Sequence, residues 1–451
     1  MIEYIKYIKK LLYQNIKTNT GNTIIKGTSS AFTIQILGYL LLFLLNLVLT
    51  RILTTQQYGN YIFVWNWIRI LSIFGSFGMV VTFTKYISIY SNNEEYGNLK
   101  GLILRGHQIV AISSIIIFLL LKFLINTSII NINKNLEQTF TIGLIGLIFF
   151  TQCSVVAGGL QGQKKILKSK LLGNVLHPLI IIILVLSTNF LLGIKLNATK
   201  VMFINLISTI FGLIIGFYWF IKFLKLKNII NIPPIFITKT WIKSSFYFML
   251  LTGVYILMKR IDIIMVGSLI DTIEAGIYNI SVKVTIFTTI VFTSISAILT
   301  PIVAELYSQK QYAKLQKILS ISTVVASIFI VVISFFVFNW GDLVLQIFGK
   351  DYTQGFHILQ ILIVGQILNA LTGYGGELLK MSGKHRPALI FVIISLIINA
   401  LLNYLLINIY GAIGAAISTT ISLLLLKILF WIYSIKVLKI DPSIISLVNK
   451  Y

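Results

Sequence analysis

Runs of about twenty apolar residues recur along the whole chain, and they constrain the fold more than any other feature. A helix of about 20 residues crosses a hydrocarbon core of about 30 Å. Because that core holds no water to satisfy backbone polar groups, repeated apolar runs predict membrane-spanning helices. Of 451 residues, 57% are hydrophobic and 11% are charged, which leaves too little polar surface for a water-soluble globule. We therefore predict an all-α integral membrane protein.

The runs give about twelve predicted spans. They cover residues 29–49, 58–89, 101–124, 140–160, 171–192, 201–223, 244–266, 275–306, 319–338, 355–378, 387–407 and 412–435. The second and eighth spans are unusually long. Because the second contains two glycines at 75–78 and the eighth contains Pro301, both are predicted to bend.

The net charge of +25 arises from Lys and Arg clusters in the segments between spans. This placement favours anionic lipid headgroups over nucleic acid as the partner of the basic residues. With the N-terminus inside, the internal segments hold about 26 basic residues and the external segments about six. This asymmetry predicts a multi-pass protein of the cytoplasmic (inner) cell membrane, with both termini in the cytoplasm.

The two halves of the chain look related. Gly59 and Tyr61 match Gly276 and Tyr278 at one spacing of about 217 residues, which indicates an internal repeat. The predicted division is an interfacial amphipathic segment 1–26, a six-helix bundle 27–223, a cytoplasmic linker 224–243, a second bundle 244–435 and a cytoplasmic tail 436–451. Two six-helix repeats are related by an axis along the membrane normal, which suits rocking about a central cleft.

Ionisable residues inside spans are costly and are therefore candidates for function. The deeper ones are Arg69, Lys85, His177, Lys259, Arg260, Asp262 and Lys283. At 1.5 Å per residue, Lys259 and Lys283 should both lie roughly 12 Å below the external boundary, and Arg69 about 16 Å below it. The position that corresponds to Arg69 in the second half, 217 residues later, is Ile286, which lies one helical turn from Lys283. The two halves are thus predicted to present cations to one cavity at similar depth.

Structural interpretations of the same residues stay open. Lys85 lies near a cytoplasmic end and could extend its amine to the interface. Lys259 and Asp262 are three residues apart and could neutralise each other. His177, beside Pro178, has the position of a polar residue satisfied between helices. The absence of a nucleotide-binding loop and of a Cys/His cluster predicts no cofactor and no metal.

Several motifs resemble those of polysaccharide exporters. The stretch from Thr50 to Tyr61 follows the pattern "T-R-x-L … Y-G-x-Y" of the first external loop. Arg260-Ile261-Asp262, followed by Gly267 and the segment 275–278, resembles its counterpart in the second half, and Pro301 with Glu305-Leu306-Tyr307 is similar to the end of span eight. Over about residues 24–440, the chain resembles the O-antigen and teichoic-acid flippases of the multidrug/oligosaccharidyl-lipid/polysaccharide (MOP) exporter superfamily.

This resemblance implies a V-shaped pair of bundles that moves polyprenyl-diphosphate-linked oligosaccharide outward by alternating access, with no enzymatic step. Arg69 and Lys283 would contact the diphosphate, with Lys259 and Arg260 in support. Asp262 would tune that site or bind a coupling cation. Lys85 and Arg51 would be secondary contacts, and a glycan polymerase or glycosyltransferases would be partners.

Three alternatives remain. A cation-coupled multidrug exporter of the same superfamily would favour acidic groups in its cavity, whereas the embedded charge here is basic. A flippase for the peptidoglycan precursor typically has about fourteen spans. A polytopic glycan polymerase or ligase usually carries a large external catalytic loop, but the external segments here are short, the longest being about sixteen residues.

Overall fold

The structure is a computed structural model, and it describes residues 19–129, 133–224 and 231–447. The predicted interfacial segment lies outside the described residues up to residue 18. Throughout the described ranges the secondary structure is helical, with no strand. This confirms the predicted all-α class.

The described part of the first half contains eight α-helices. They are α1 (Asn19–Ile52), α2 (Thr55–Ser76), α3 (Met79–Asn92), α4 (Tyr96–Asn126), α5 (Lys134–Gly162), α6 (Ile166–Leu171), α7 (His177–Leu186) and α8 (Ala198–Phe223). The π-helical turns Leu172–Leu176 and Ser187–Leu191 extend α6 and α7 into one span.

Within residues 231–447, the second half contains nine α-helices. They are α9 (Thr238–Met258), α10 (Ile261–Leu269), α11 (Thr272–Val284), α12 (Ile286–Ser308), α13 (Tyr312–Phe348), α14 (Phe356–Leu371), α15 (Gly375–Met381), α16 (His385–Tyr410) and α17 (Ala412–Tyr433). Among the described residues, 11 helical segments are long and apolar enough to cross a membrane, or up to 12 when α2 and α3 count as one bent span. The count agrees with the predicted twelve spans.

Three spans are interrupted. α2 and α3 meet at 45°, through Phe77 and Gly78, whose φ angles of 47° and 70° are left-handed. This confirms the bend predicted for span two. Span eight is interrupted at Thr285, whereas α12 runs through Pro301. Span seven, predicted to be continuous, is broken at Lys259 and Arg260 between α9 and α10. In each of these places two helices meet at a break where a single helix was predicted.

We call the end of the molecule that carries the predicted external loops the distal end, and the opposite end the proximal end. At the distal end, one apolar core cluster joins both bundles: it contains Leu49 and Tyr61 from the first half and Ile277 and Leu345 from the second. At the proximal end, α9 packs on α3, where the Ser245 and Thr82 hydroxyls lie 2.7 Å apart. The two bundles are therefore in contact at both ends.

Repeat-related residues meet at the distal junction. A Cβ atom on Gly59 would lie 1.9 Å from the Thr272 carbonyl oxygen, and one on Gly276 would lie 3.1 Å from the Gly59 Cα. Beside them, the Asn279 side-chain amide donates to the Tyr58 hydroxyl at 2.7 Å. The Thr272 hydroxyl donates to the side-chain oxygen of Asn60 at 2.6 Å. Only residues without a side chain permit this approach of α2 and α11.

The distal junction predicts the effect of one added methyl group. Gly59→Ala should lower the thermal unfolding midpoint, since the new Cβ would press on backbone and cost about 1–3 kcal/mol. Gly173→Ala is the matched control, because no atom lies within 4 Å of its Cβ position. Unfolding followed by intrinsic fluorescence in one detergent compares the two variants. Equal midpoints for Gly59→Ala and the unchanged protein would contradict the close approach.

Candidate functional site

Four cations converge between the bundles. Arg69 comes from α2 of the first bundle, Lys259 and Arg260 from the break between α9 and α10, and Lys283 from α11. Lys283 lies within electrostatic range of the other three, and Arg69 within range of Arg260. The structure thus brings cations of the two halves close together, and their exposure to one cavity stays a prediction.

No acidic side chain neutralises this cluster. In the described parts of the chain, the one ion pair joins Lys122 to Glu137 at 3.1 Å, on α4 and α5. Arg69 rests its guanidinium over the Phe150 ring at 4.8 Å, and its Nε has no hydrogen-bond partner. Because like charges repel more strongly where the dielectric is low, the cluster favours a bound anion.

Neutral groups satisfy only part of the cluster. Arg260 donates from Nη1 to the Asn66 side-chain oxygen on α2, at 2.8 Å, and so links the two bundles. Lys283 makes no hydrogen bond or ion pair with any described residue. Its amine is therefore available to a ligand.

Three of the four cations lie at or near the interruptions of their helices. Lys259 and Arg260 form the break in span seven, and Lys283 stands two residues before the break at Thr285. Counted from the distal ends of α10 and α11 at 1.5 Å per residue, all three lie roughly 15 Å deep. Broken helices near the bilayer midplane are the usual construction of substrate sites in transporters.

Asp262 is close to the cluster in sequence but belongs to a different environment. Its carboxylate accepts hydrogen bonds from the Asn403 amide at 2.7 Å and from the Thr419 hydroxyl at 2.8 Å. It is buried inside the second bundle and makes no ion pair with Lys259. The alternative in which Lys259 and Asp262 neutralise each other by direct contact is therefore wrong.

A comparable polar group lies inside the first bundle. Asn205 donates to the Tyr61 hydroxyl at 2.9 Å, and the Thr209 hydroxyl lies 3.3 Å from His177 Nε2. The His177 ring also stacks on Trp65, with 5.9 Å between centroids. His177 is thus held between helices, as the structural interpretation predicted. Tyr61 and its repeat partner Tyr278 each belong to the polar interior of their own bundle.

The two secondary candidates lie apart from the cluster. Arg51 donates to the carbonyls of Ile347 at 2.7 Å and Gln346 at 3.3 Å, so it ties the end of α1 to the end of α13. Lys85 is exposed on α3, with its amine 5.1 Å from the Tyr86 ring centroid. Arg51 is part of the distal junction, and Lys85 lies on the proximal half of the bent span.

Sequence reasoning missed Lys427. It lies on α17 inside the second bundle, with its amine 4.9 Å from the Phe292 ring centroid and within electrostatic range of Glu377. Glu377 accepts a hydrogen bond from Ser296 on α12 at 2.9 Å. A lysine within the apolar run 412–435 was the available signal.

Comparison with known proteins identifies the family. The family model described as "Polysaccharide biosynthesis protein" matches residues 24–307. The chain belongs to this family. A second model, MatE, matches residues 248–405. The putative O-antigen transporter of Salmonella typhimurium (strain LT2) is 23% identical over 124 residues, which are 28% of this chain and 29% of that relative.

Solved structures place this polysaccharide biosynthesis family member in the MOP fold. An inward-facing multidrug resistance MATE family transporter of the MOP superfamily has a TM-score of 0.72, at 13% identity over 90% of this chain and 97% of the other. Lipid II flippase MurJ, in an inward closed conformation, has a TM-score of 0.70, at 16% identity over 94% and 91%. The chain is therefore a multi-pass membrane protein with the two-bundle fold that these solved structures share.

The cluster predicts an unusual response to losing a charge. Lys283→Met should leave the unfolding midpoint without ligand unchanged or higher, because it removes repulsion and an unpaired amine while keeping side-chain volume. Lys122→Met, which removes the Lys122–Glu137 ion pair, is the control and should not gain stability. A loss of more than about 2 kcal/mol in Lys283→Met would assign Lys283 a structural role instead.

Proposed function

We propose that the protein is a flippase that moves polyprenyl-diphosphate-linked oligosaccharide from the cytoplasmic to the outer leaflet by alternating access. The observation that carries this proposal is the cluster of four cations between the bundles, with no acidic partner among the described residues. A diphosphate supplies the missing negative charge. The match to the polysaccharide biosynthesis family supports a glycan as the rest of the cargo.

The physical task is to carry phosphate charge past hydrocarbon. An unpaired charge at the bilayer centre costs several kcal/mol or more, whereas phosphate oxygens held by Lys and Arg form strong charge-assisted hydrogen bonds. Lys283 and Arg69 would bind the diphosphate, and Lys259 and Arg260 would add positive charge. The polyprenyl tail would remain in lipid, at the gap between the bundles.

The junctions at the two ends provide a basis for alternating access. The distal junction is closed by glycine contact and by hydrogen bonds such as that from Asn279 to Tyr58, at 2.7 Å. Among the described residues no ion pair crosses this junction, and its hydrogen bonds and the apolar cluster that joins both bundles would separate as the bundles rock. Opening the distal end would expose the cation cluster to the outer leaflet.

The location and partners follow from this function. The protein would reside in the cytoplasmic (inner) membrane with both termini in the cytoplasm, as the distribution of basic residues predicts. It would act without catalysis, between glycosyltransferases that build the lipid-linked glycan and a polymerase that extends it. Secondary contacts from Arg51 and Lys85 would act at the two ends of the path.

Multidrug export remains the second candidate, because MATE transporters share the fold. The electrostatics disfavour cationic drugs at the cluster. The one deep carboxylate near the cluster, Asp262, points into the second bundle and bonds Asn403 and Thr419. Drug export therefore requires a different binding surface from the one that joins the two bundles.

Flipping of a defined lipid-linked sugar tests the proposal. Arg69→Gln combined with Lys283→Met should slow the flipping of polyprenyl-diphosphate-linked N-acetylglucosamine in proteoliposomes. Loss of one charged hydrogen bond costs about 1.5–3 kcal/mol, or roughly 10- to 100-fold for each residue. Lys122→Gln, a charge removed from a span away from the cluster, is the control. Normal flipping by the double variant at equal protein abundance would remove the cluster from the mechanism.

The assignment of Asp262 is tested by changing its charge. If this carboxylate binds a coupling cation, Asp262→Asn should abolish the dependence of flipping on an imposed Na⁺ or H⁺ gradient while the protein remains folded. Asp351→Asn, at the distal surface, is the control. If the flipping rate depends equally on the gradient in Asp262→Asn and in the unchanged protein, Asp262 does not bind a coupling cation. Its role is then to support the structure around the site.

A further inference from the structure

A cavity of about 880 Å³ lies at the distal half of the molecule, on the other side of α2 from the guanidinium of Arg69. We call it the distal crevice. One face of α2 forms its wall, with Gln56, Asn60, Phe63, Trp67 and Leu71 at helical spacing. Arg69 falls on the opposite side of the helical turn. The helix thus separates the crevice from the cation cluster.

Both bundles contribute to the distal crevice. The ends of α4 and α5 line one side, with Leu121 and Phe140, and the turn between α10 and α11 lines the other, with Ile270 and Thr272. The volume falls in the range of about 300–1,000 Å³ that is usual for small-ligand sites. The crevice is therefore large enough for a segment of an oligosaccharide.

The charge of the crevice differs from that of the cluster. Among the described residues its lining contains no Lys or Arg, and Asp271 is the one charged residue there. A phosphate group would meet a carboxylate there with no cation to compensate. The ligand chemistry of the crevice is therefore uncharged, unlike that of the neighbouring cluster.

The remaining lining has the composition of a sugar site. Aromatic faces come from Phe63, Trp67 and Phe140, and the first and third rings pack edge to face with centroids 6.2 Å apart. Amide and hydroxyl groups come from Gln56, Asn60 and Thr272. The indole N–H of Trp67 has no hydrogen-bond partner among the described residues, and an indole N–H in a site normally donates to one.

We propose that the distal crevice binds uncharged pyranose rings of the cargo glycan from the external side. Apolar ring faces would pack on Trp67 and Phe140, and hydroxyls would bond the indole N–H and the amides. This proposal rests on the proposed function for the identity of the glycan. It assigns diphosphate and sugar to opposite sides of α2.

Sugar binding would also act on the distal junction. Thr272 donates to the Asn60 oxygen at 2.6 Å, and Gln56 donates to the Thr272 hydroxyl at 3.0 Å. These bonds hold α2 to the start of α11, and the same groups line the crevice. Hydroxyls of a bound sugar would compete for the same hydrogen-bonding groups. A sugar bound in the crevice would therefore favour separation of the bundles at the distal end.

Direct binding to the full chain in lipid nanodiscs tests the proposal. The probes are maltotriose and chitotriose as neutral sugars and trigalacturonate as an acidic one, followed by saturation-transfer NMR. Neutral probes should bind, and trigalacturonate should bind at least about tenfold more weakly because of Asp271. Trp67→Leu should weaken neutral binding about tenfold. Trp340→Leu, which removes an exposed tryptophan of α13, should leave it unchanged.

Asp271→Asn keeps a helix-capping side chain. It should reduce the difference in binding affinity between the acidic and the neutral probes. The test therefore does not depend on the folding of Trp67→Leu. No saturation of either neutral probe, or equal binding by Trp67→Leu and the unchanged protein, overturns the proposal. The proposal is also overturned if native mass spectra show a bound phospholipid that sugar does not displace and that is absent from Trp67→Leu. Flipping by the Arg69 and Lys283 variants reports separately on the proposed function, so the two can fail independently.

Discussion

An unpaired positive charge inside a membrane is the constraint on which the rest of this structure depends. Four cations meet between the bundles, where the described residues give them an amide from Asn66 and an aromatic face from Phe150. Such a cluster is tolerated where water or an anionic ligand can reach it. Three of these cations lie at helix breaks, and Lys259 among them is exposed.

The internal repeat explains where the two bundles are in contact. The residues that do not follow the repeat explain how the bundles differ. Gly59 meets Gly276 at the distal junction, and Tyr61 and Tyr278 take corresponding places in the two polar interiors. The charges do not follow this symmetry. The second bundle supplies three of the four cations and the buried Asp262. The packing surface is thus shared by both repeats, whereas the chemistry is concentrated in the second.

Helix α2 links the two ligand chemistries proposed above. Its Arg69 side belongs to the cation cluster and its Trp67 side to an uncharged crevice, two residues away along the chain. Because successive helical residues point about 100° apart, one helix can separate a phosphate site from a sugar site while moving as one body. A movement of α2 that opens the distal junction would therefore alter both sites together.

The sequence by itself determined the membrane class, the number of spans, the repeat and the four residues of the cluster, because hydropathy and charge in hydrocarbon impose costs too large for later packing to override. Only the tertiary structure decided the rest. It broke span seven at Lys259 and span eight at Thr285 rather than Pro301, turned Asp262 toward Asn403 and placed Lys427 near Glu377. Those outcomes depend on which helices pack against each other. The partner of a buried side chain lies on a neighbouring helix that can be far away in sequence, so local sequence does not predict it.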